Sequence, residues 1–596
     1  MQVKPLPYTV KPVAFAIMIR FGVATGHLSL NRFDGYAPDP GLNMTLECSA
    51  LAQHMIIIGA TGVGKTVLIR QLVQDIVRFG GIGILIMDGK GSLASEFIGL
   101  AGYTYIDPRH CTVGLLEGLD PQGVTRALAE INVRADAKDP IWQELTRALI
   151  STAAEILWHL VKLDALDANL EPKPAAQRVW RWSFADLDRV AVMIQSQTPD
   201  DKAETTNYMD FLRLHRPTEM KGLLGNAVAF VEHEIPAMAE SVRGSVLGNY
   251  KSWTAPVMSH PDILRWCQAE TGVDPEACLN GGVVGINLGE VMFGRAGVIA
   301  SSFIKNRIYA KGKQRADYGN DWRTMIPGAT PTWFVMDEYP AIATDAEVEI
   351  ALQGRSLGLW LCVATQNIEA IYATNPNKNR VDAFLGNLLN RVVLQTTPQS
   401  VQWLQSVTGP VWIPGFMQNT QGIDYVGSAR NALGSPLYDT THPDRPFMKS
   451  LLRRGFGAFH KIHFKQTVSQ WVTSDDHAEQ SSRHNVILGG GWKEEPLLSI
   501  ADFMAKTQKI TTRTEGGVAF VSVMRAGAIR RDFVQLDPPR PIADDLMDPA
   551  FIEAREQGKL SALHQIRAEA EAFARLSDEF KSIHQRAQVD ANEVQA

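Results

Sequence analysis

Cysteine is scarce. The 596-residue chain has five, Cys48, Cys111, Cys267, Cys278 and Cys362. No two stand in CxxC spacing, so neither a zinc site nor a disulfide framework is expected, and a reducing cytoplasm fits best. Long apolar runs are missing as well. The most apolar stretch near the start, Pro12 to Val23, is short, carries Arg20 and lacks a small-residue cleavage site. It reads as a buried strand or helix, not as a leader or a membrane span. Neither sign of charge is in excess: a net charge of -6 neither demands nor excludes nucleic acid, because basic groups can line a channel while the exterior stays acidic. Compositional bias toward disorder is absent too, since 45% hydrophobic and 20% charged residues describe an ordinary globular chain long enough for several domains.

What is present is Gly59-Ala60-Thr61-Gly62-Val63-Gly64-Lys65-Thr66, between the apolar run Met55 to Ile58 and a helical pattern from Val67. This is a G-x-x-x-x-G-K-[ST] phosphate loop with a strand before it and a helix after it. Its glycines leave no side chains in the way, so backbone N–H groups can wrap phosphates at the positive end of the helix. Lys65 is expected to neutralise the β and γ oxygens of ATP, and Thr66 to hold Mg2+.

In chain order, residues 1–54 read as a small N-terminal unit, with a turn at Asp39-Pro40-Gly41. A second buried strand, Ile82 to Asp88, ends in Gly89-Lys90-Gly91-Ser92 at the sheet edge where ligands bind. Residues 121–278 turn helical, with an aromatic stripe (Trp142, Trp158, Trp180, Trp182) that reads as core, and a loop at Leu170 to Pro174. Strands resume at Gly282–Leu288, Pro331–Glu338, Leu359–Gln366 and Arg391–Thr396, with a long helix from about Ala296 to Ala310. The expected fold is α/β: a doubly wound, RecA-like P-loop NTPase motor domain over 55–120 and 279–475, interrupted by a mostly helical insertion. The Gly- and Asn-rich Pro414 to Tyr438 precedes an expected strand pair at Arg453 to Lys461. Residues 476–596 read as a C-terminal extension with a charged helical tail from Asp548.

Four apolar residues followed by Asp337-Glu338 form a Walker B pattern. Asp337 is expected to hold Mg2+ through water, and Glu338 to orient and deprotonate the attacking water. Gln366, ending the strand Leu361 to Thr365, is placed to sense the γ-phosphate. Arg355 is a candidate for reaching into a neighbouring subunit's site, with Arg391 as its rival. Asp88 and Lys90 stand at the nucleotide edge. The Lys311–Arg315 loop and the group Arg453, Arg454, Lys461, Lys465 are candidate phosphate-backbone contacts.

The motifs GATGVGKT, MDGKGS, FVMDEYPAI, GRSLG and VATQN, in this order over roughly residues 50–470, resemble the TraG/TraD-like coupling proteins of conjugative type IV secretion systems, within the FtsK/HerA group of hexameric DNA pumps. The resemblance implies an ATP-driven homo-hexamer that receives single-stranded DNA bound to a relaxase, or protein cargo, and passes it to the secretion channel. It places the helical insertion at the cytoplasmic, substrate-facing side. Lys65, Thr66, Asp337, Glu338, Arg355 and Gln366 fall on the family's nucleotide, magnesium, finger and sensor positions. Family members usually carry N-terminal transmembrane helices, and none is read here; the expectation is a cytoplasmic protein, with three readings open: a soluble variant, a chain docked on a separate membrane subunit at the inner membrane, or a cytoplasmic pump of another branch. A protein-delivering ATPase and a nucleotide-assembled docking platform are the alternatives.

Overall fold

The structure is a computed structural model and describes residues 18–32, 34–132, 140–166, 173–174, 177–196, 198–375, 377–422, 484–510, 516–525 and 527–556. The residues expected to form a loop at 170–172 and a strand pair at 453–461, the polar stretch 423–438 and the helical tail beyond 556 lie outside them.

The centre of the molecule is a set of short, mostly apolar strands: β3 (Met55–Ile58), β4 (Gly83–Asp88), β6 (Val283–Ile286), β7 (Thr332–Asp337), β8 (Leu359–Thr365) and β9 (Asn390–Val393). Every residue of these six is buried, as both-sided covering by helices requires of parallel strands. With β5 (Tyr103–Ile106) they run in the order β9-β3-β8-β7-β4-β6-β5, all parallel. Alternation still sorts the side chains inside the continuous runs. Ile56, Ile58, Leu85, Met87, Phe334, Met336, Leu361 and Val363 enter one core, with Ile299, Phe303 and Ile308 of the helix Glu290–Lys313. Met55, Ile57, Ile84, Ile86, Trp333, Val335, Cys362 and Ala364 enter the other, with Leu68, Leu72, Val73 and Ile76 of the helix Lys65–Phe79.

Between β5 and β6 the chain is helical, including Pro140–Asp164, Phe184–Gln195, Pro199–His215 and Glu240–Ser259. The aromatic stripe is core: Trp180 and Trp182 are buried, Trp158 meets Trp182 edge-on at 4.8 Å, and the Trp182 indole N–H donates to the Leu116 carbonyl at 2.8 Å. It is not a base-stacking surface.

Four strands from outside the motif-bearing stretch extend the sheet. β1 (Met18–Ala24) and β2 (Asn43–Glu47) come from the leading residues, β12 (Val518–Arg525) and β13 (Ala528–Leu536) from the C-terminal extension. They are antiparallel and complete the order β2-β1-β13-β12-β9. Asp532 of β13 accepts the N–H groups of Gly26 (2.6 Å) and Leu28 (3.0 Å), and buried Arg531 pairs with buried Asp34 at 2.7 Å. A separate antiparallel pair, β10 (Pro410–Gly422) with β11 (His484–Pro496), leaves the sheet after β9.

The Lys311–Arg315 segment is not a loop. It ends the long helix and enters the 3₁₀ turns of Gln314–Asp321. Arg315 is buried and donates to the carbonyls of Leu357, Leu279 and Thr330 at 2.8–2.9 Å, so it bolts three segments together and faces no phosphate backbone.

Candidate active site

Parallel register brings the carboxyl ends of β3, β4, β7 and β8 to one edge: Ile58 lies opposite Thr365, and Asp88 opposite Asp337. The loops that follow these strands therefore meet, at the sheet edge where such folds bind ligands.

The phosphate loop is braced from below. The Gly59 N–H donates to the Thr365 carbonyl at 3.0 Å and the Ala60 N–H to the Gln395 carbonyl at 2.8 Å. Val63 is buried, and a Cβ on Gly59 would lie 2.8 Å from its methyl. Gly62 and Gly64 have φ of +78° and +106°, which side chains disfavour. Ala60, Thr61 and Gly62 stay open toward solvent. Lys65 opens the helix with its ammonium folded into the loop, donating to the Gly59 carbonyl at 2.7 Å and lying 3.8 Å from Glu338 Oε1. Burial depresses its pKa, and the carboxylates of Glu338 and Asp337 oppose that shift.

Thr66 Oγ1 donates to Asp337 Oδ2 at 3.1 Å. Asp337 is buried, and its pKa is raised, by burial first and by the Asp88 charge second. A carboxylate held this way gains from a cation beside it. Among the described residues no group of three or more His, Cys, Asp or Glu could hold a metal. A cation at Thr66 and Asp337 would thus need phosphate oxygens and water to complete its shell, as Mg2+ does with nucleotides.

Glu338 follows immediately, with φ of +46°. A non-glycine residue in the left-handed region is uncommon and is found preferentially at functional sites. That turn aims its carboxylate back over the loop, where Oε1 accepts from Lys90 Nζ at 2.6 Å and Oε2 from Gln366 Nε2 at 3.1 Å. Lys65, Lys90, Gln366 and Glu338 thus converge: Glu338 accepts hydrogen bonds from Lys90 and Gln366 and forms a longer ion pair with Lys65. The sequence places Lys90 at this edge without a partner; the parallel alignment of β4 with β7, which sets MDGKGS beside VMDE, brings it to Glu338. Asp88, by contrast, is consumed locally, accepting the N–H groups of Lys90, Ser92 and Leu93 and the Ser92 hydroxyl.

The structure does not bring Arg355 to this site. It is exposed at the end of the helix Asp345–Leu357, before β8, whereas Gln366 follows the same strand. Seven residues of strand separate them, roughly 20 Å at strand rise. Arg355 lines a cavity of about 710 Å³ with Arg323, Trp322 and Trp360. Its rival Arg391 is buried in β9, 5.8 Å from the Trp403 ring, with its pKa lowered to about 10 by burial. Burial removes Arg391 as a group that reaches another subunit.

With this geometry in view, comparison with known proteins is informative at one stretch. Residues 41–174, which include the phosphate loop, match the family described as the type IV secretion-system coupling protein DNA-binding domain. The chain resembles the type IV secretion coupling proteins. Its fold is that of an α/β P-loop NTPase with helical regions. Solved structures similar to this coupling-protein-like chain include the bacterial conjugative coupling protein TrwBdeltaN70, at 15% identity, TM-score 0.49, covering 90% of this chain and 99% of that one. Another is the plasmid coupling protein TrwB in complex with ADP and Mg2+, at 13% identity, TM-score 0.49, covering 90% and 98%. A third is VirB4 of Thermoanaerobacter pseudethanolicus, at 10% identity, TM-score 0.34, covering 60% and 80%. No curated protein matches the chain. Among the described residues no helix is long and apolar enough to cross a membrane.

Proposed function

We propose that this chain is an ATP-hydrolysing coupling protein that receives relaxase-bound single-stranded DNA and drives it into a conjugative type IV secretion channel. The observation that carries this is the Thr66–Asp337 contact at 3.1 Å, with Glu338 held between Lys65, Lys90 and Gln366. In this reading the amides from Gly59 to Thr66 and the Lys65 ammonium bind the ATP phosphates, and Thr66 and Asp337 hold Mg2+, which when bound neutralises phosphate charge. Glu338 orients the attacking water and takes its proton. Gln366 and Lys90, both bonded to Glu338, keep that carboxylate placed and report whether a γ-phosphate competes for them.

Arg355 is assigned to a neighbouring subunit's site, because its own is out of reach. That assignment calls for a ring, for which we propose a homo-hexamer. The motor comprises 55–120 and 279–475, together with strands supplied by 1–54 and 476–596, and the helical 121–278 faces substrates on the cytoplasmic side, with the ring held at the membrane by channel components. DNA binding that rests on backbone charge should weaken steeply with salt and show little base preference.

The test is ATP hydrolysis by the purified chain with and without single- and double-stranded DNA, beside Lys65→Ala. Stimulation that Lys65→Ala abolishes supports the DNA pump. Hydrolysis indifferent to every nucleic acid favours protein cargo instead.

A further inference from the structure

The phosphate loop has a wall that no nucleotide motif contains. After β11 the chain forms the short helix Ile500–Lys506, and Gln508 then exchanges both backbone hydrogen bonds with Val518 of β12, each at 3.0 Å. That pairing delivers Ile510 onto the loop. The Ile510 N–H donates to the Val63 carbonyl at 3.1 Å. Its side chain lies against Gly64, where a Cβ would meet three Ile510 carbons at 2.5–2.8 Å. Ile510 is half-buried and packs on the same core as Val63, Leu68 and the helix Lys65–Phe79.

The trans peptide is planar, so the Val63 carbonyl and the Gly64 N–H point in opposite directions. By taking the Val63 carbonyl, Ile510 turns the Gly64 N–H away from itself. Among the described residues the amides of Gly62 and Gly64 donate to nothing within the chain, which leaves both for an anion. Gly64 is thus required to be glycine twice over, by its φ of +106° and by the space Ile510 occupies.

We propose that Ile510 is a positioning residue for the nucleotide: from the C-terminal extension, it holds the Val63–Gly64 peptide in the orientation that presents the Gly64 N–H to phosphate. The inference rests on the phosphate-loop reading and predicts an effect on binding, not on the chemical step.

Three full-length variants separate the contributions. Ile510→Ala removes the packing, Ile510→Pro removes the N–H, and Ile510→Leu keeps both. The expected result is that Ile510→Ala and Ile510→Pro each raise the Kd for a fluorescent ADP analogue with Mg2+, and the KM for ATP, by about tenfold. Their kcat should stay within about twofold, and Ile510→Leu should restore wild-type binding. On the unaltered chain, saturating ADP should slow hydrogen exchange at the Ile510 amide, a readout that does not depend on any variant folding. Unchanged Kd in both loss variants, a fall confined to kcat, or unchanged Ile510 exchange would overturn the proposal. Lys65→Ala distinguishes the two levels. If it too binds nucleotide normally, the phosphate-loop reading fails; if it alone loses binding, only the role of Ile510 fails.

Discussion

Glu338 and His54 are the two non-glycine residues with positive φ among those described, and each makes a separate prediction. For Glu338 the bend serves position: the carboxylate reaches Lys90 and Gln366 only because the backbone turns back at the end of β7. Glu338→Gln keeps the shape, exchanges one acceptor oxygen for an NH2 donor, and removes the base of the proposed mechanism. ATP turnover should fall by about 10²- to 10⁴-fold, the usual contribution of a general base, while nucleotide binding persists; a steady-state assay beside a binding titration checks this. Transport that survives Glu338→Gln would point to a docking platform. His54 is buried, and its Nδ1 accepts the Leu361 N–H at 3.0 Å, which requires the unprotonated nitrogen. Burial lowers its pKa to about 4, and the Arg355 charge adds to that. The unfolded chain titrates near the ordinary value of about 6.5, so it binds the proton more readily than the fold does. The resulting stability is whole above about pH 6.5 and is lost as pH falls toward 4, at most about 3 kcal/mol for this group. Urea midpoints at pH 7.5 and 5.0 should therefore differ more for the wild type than for His54→Asn, which tolerates the same φ.

At the scale of elements, the turn carrying the Walker B carboxylates is anchored to the long helix Glu290–Lys313. Lys305 on that helix is fully buried and donates to the Ile342 carbonyl and to Glu347 Oε1, the latter at 2.9 Å. Tyr309 one turn on donates to the same oxygen at 2.9 Å. Glu347 also closes the capping box with Thr344 that starts the helix Asp345–Leu357. One carboxylate thus joins two helices and fixes the short turn Tyr339–Ile342 between them. Lys305→Met leaves that charge buried without its cation, which should cost about 3–5 kcal/mol, measured by urea unfolding. Lys305→Met with Glu347→Gln should recover part of the loss, since no uncompensated charge then remains.

For the whole molecule, the decisive feature is that β12 and β13 join β1 and β2 to the parallel strands of the central sheet. β1 and β2 reach β9 only through them. Ending the chain before Val518 should therefore expose the edge of β9 and detach β1 and β2 at once. Such a chain is expected to be insoluble or to lose its cooperative melt, checked by soluble yield and circular dichroism. An unaltered melting transition would show that the terminal strands are ornaments on an independent motor.

Much of the centre was legible in the sequence. GATGVGKT and VMDE are local patterns: strand, turn and helix lie within a few residues, and steric rules for glycine and buried apolar runs act at that range. The α/β class followed from the alternation of such runs with helical spacing. The apolar run Val518 to Met524, the turn residue Gly527 and the half-polar stretch Ile529 to Leu536 also carry a hairpin signature, a weaker one because Arg530, Arg531, Asp532 and Gln535 interrupt the second strand. What only the tertiary structure decided were the partners: Lys90 with Glu338, Ile510 on Gly64, Asp34 with Arg531, and Arg391 buried where a surface residue was expected. These pairs stand far apart in the chain, up to 497 positions for Asp34 and Arg531. No periodicity spans such a separation, and burial of a side chain depends on which strands become neighbours. Sequence by itself determined which motifs stand at the edge of the sheet, because strand, turn and helix are set by neighbours a few residues away, and packing determined which groups surround them.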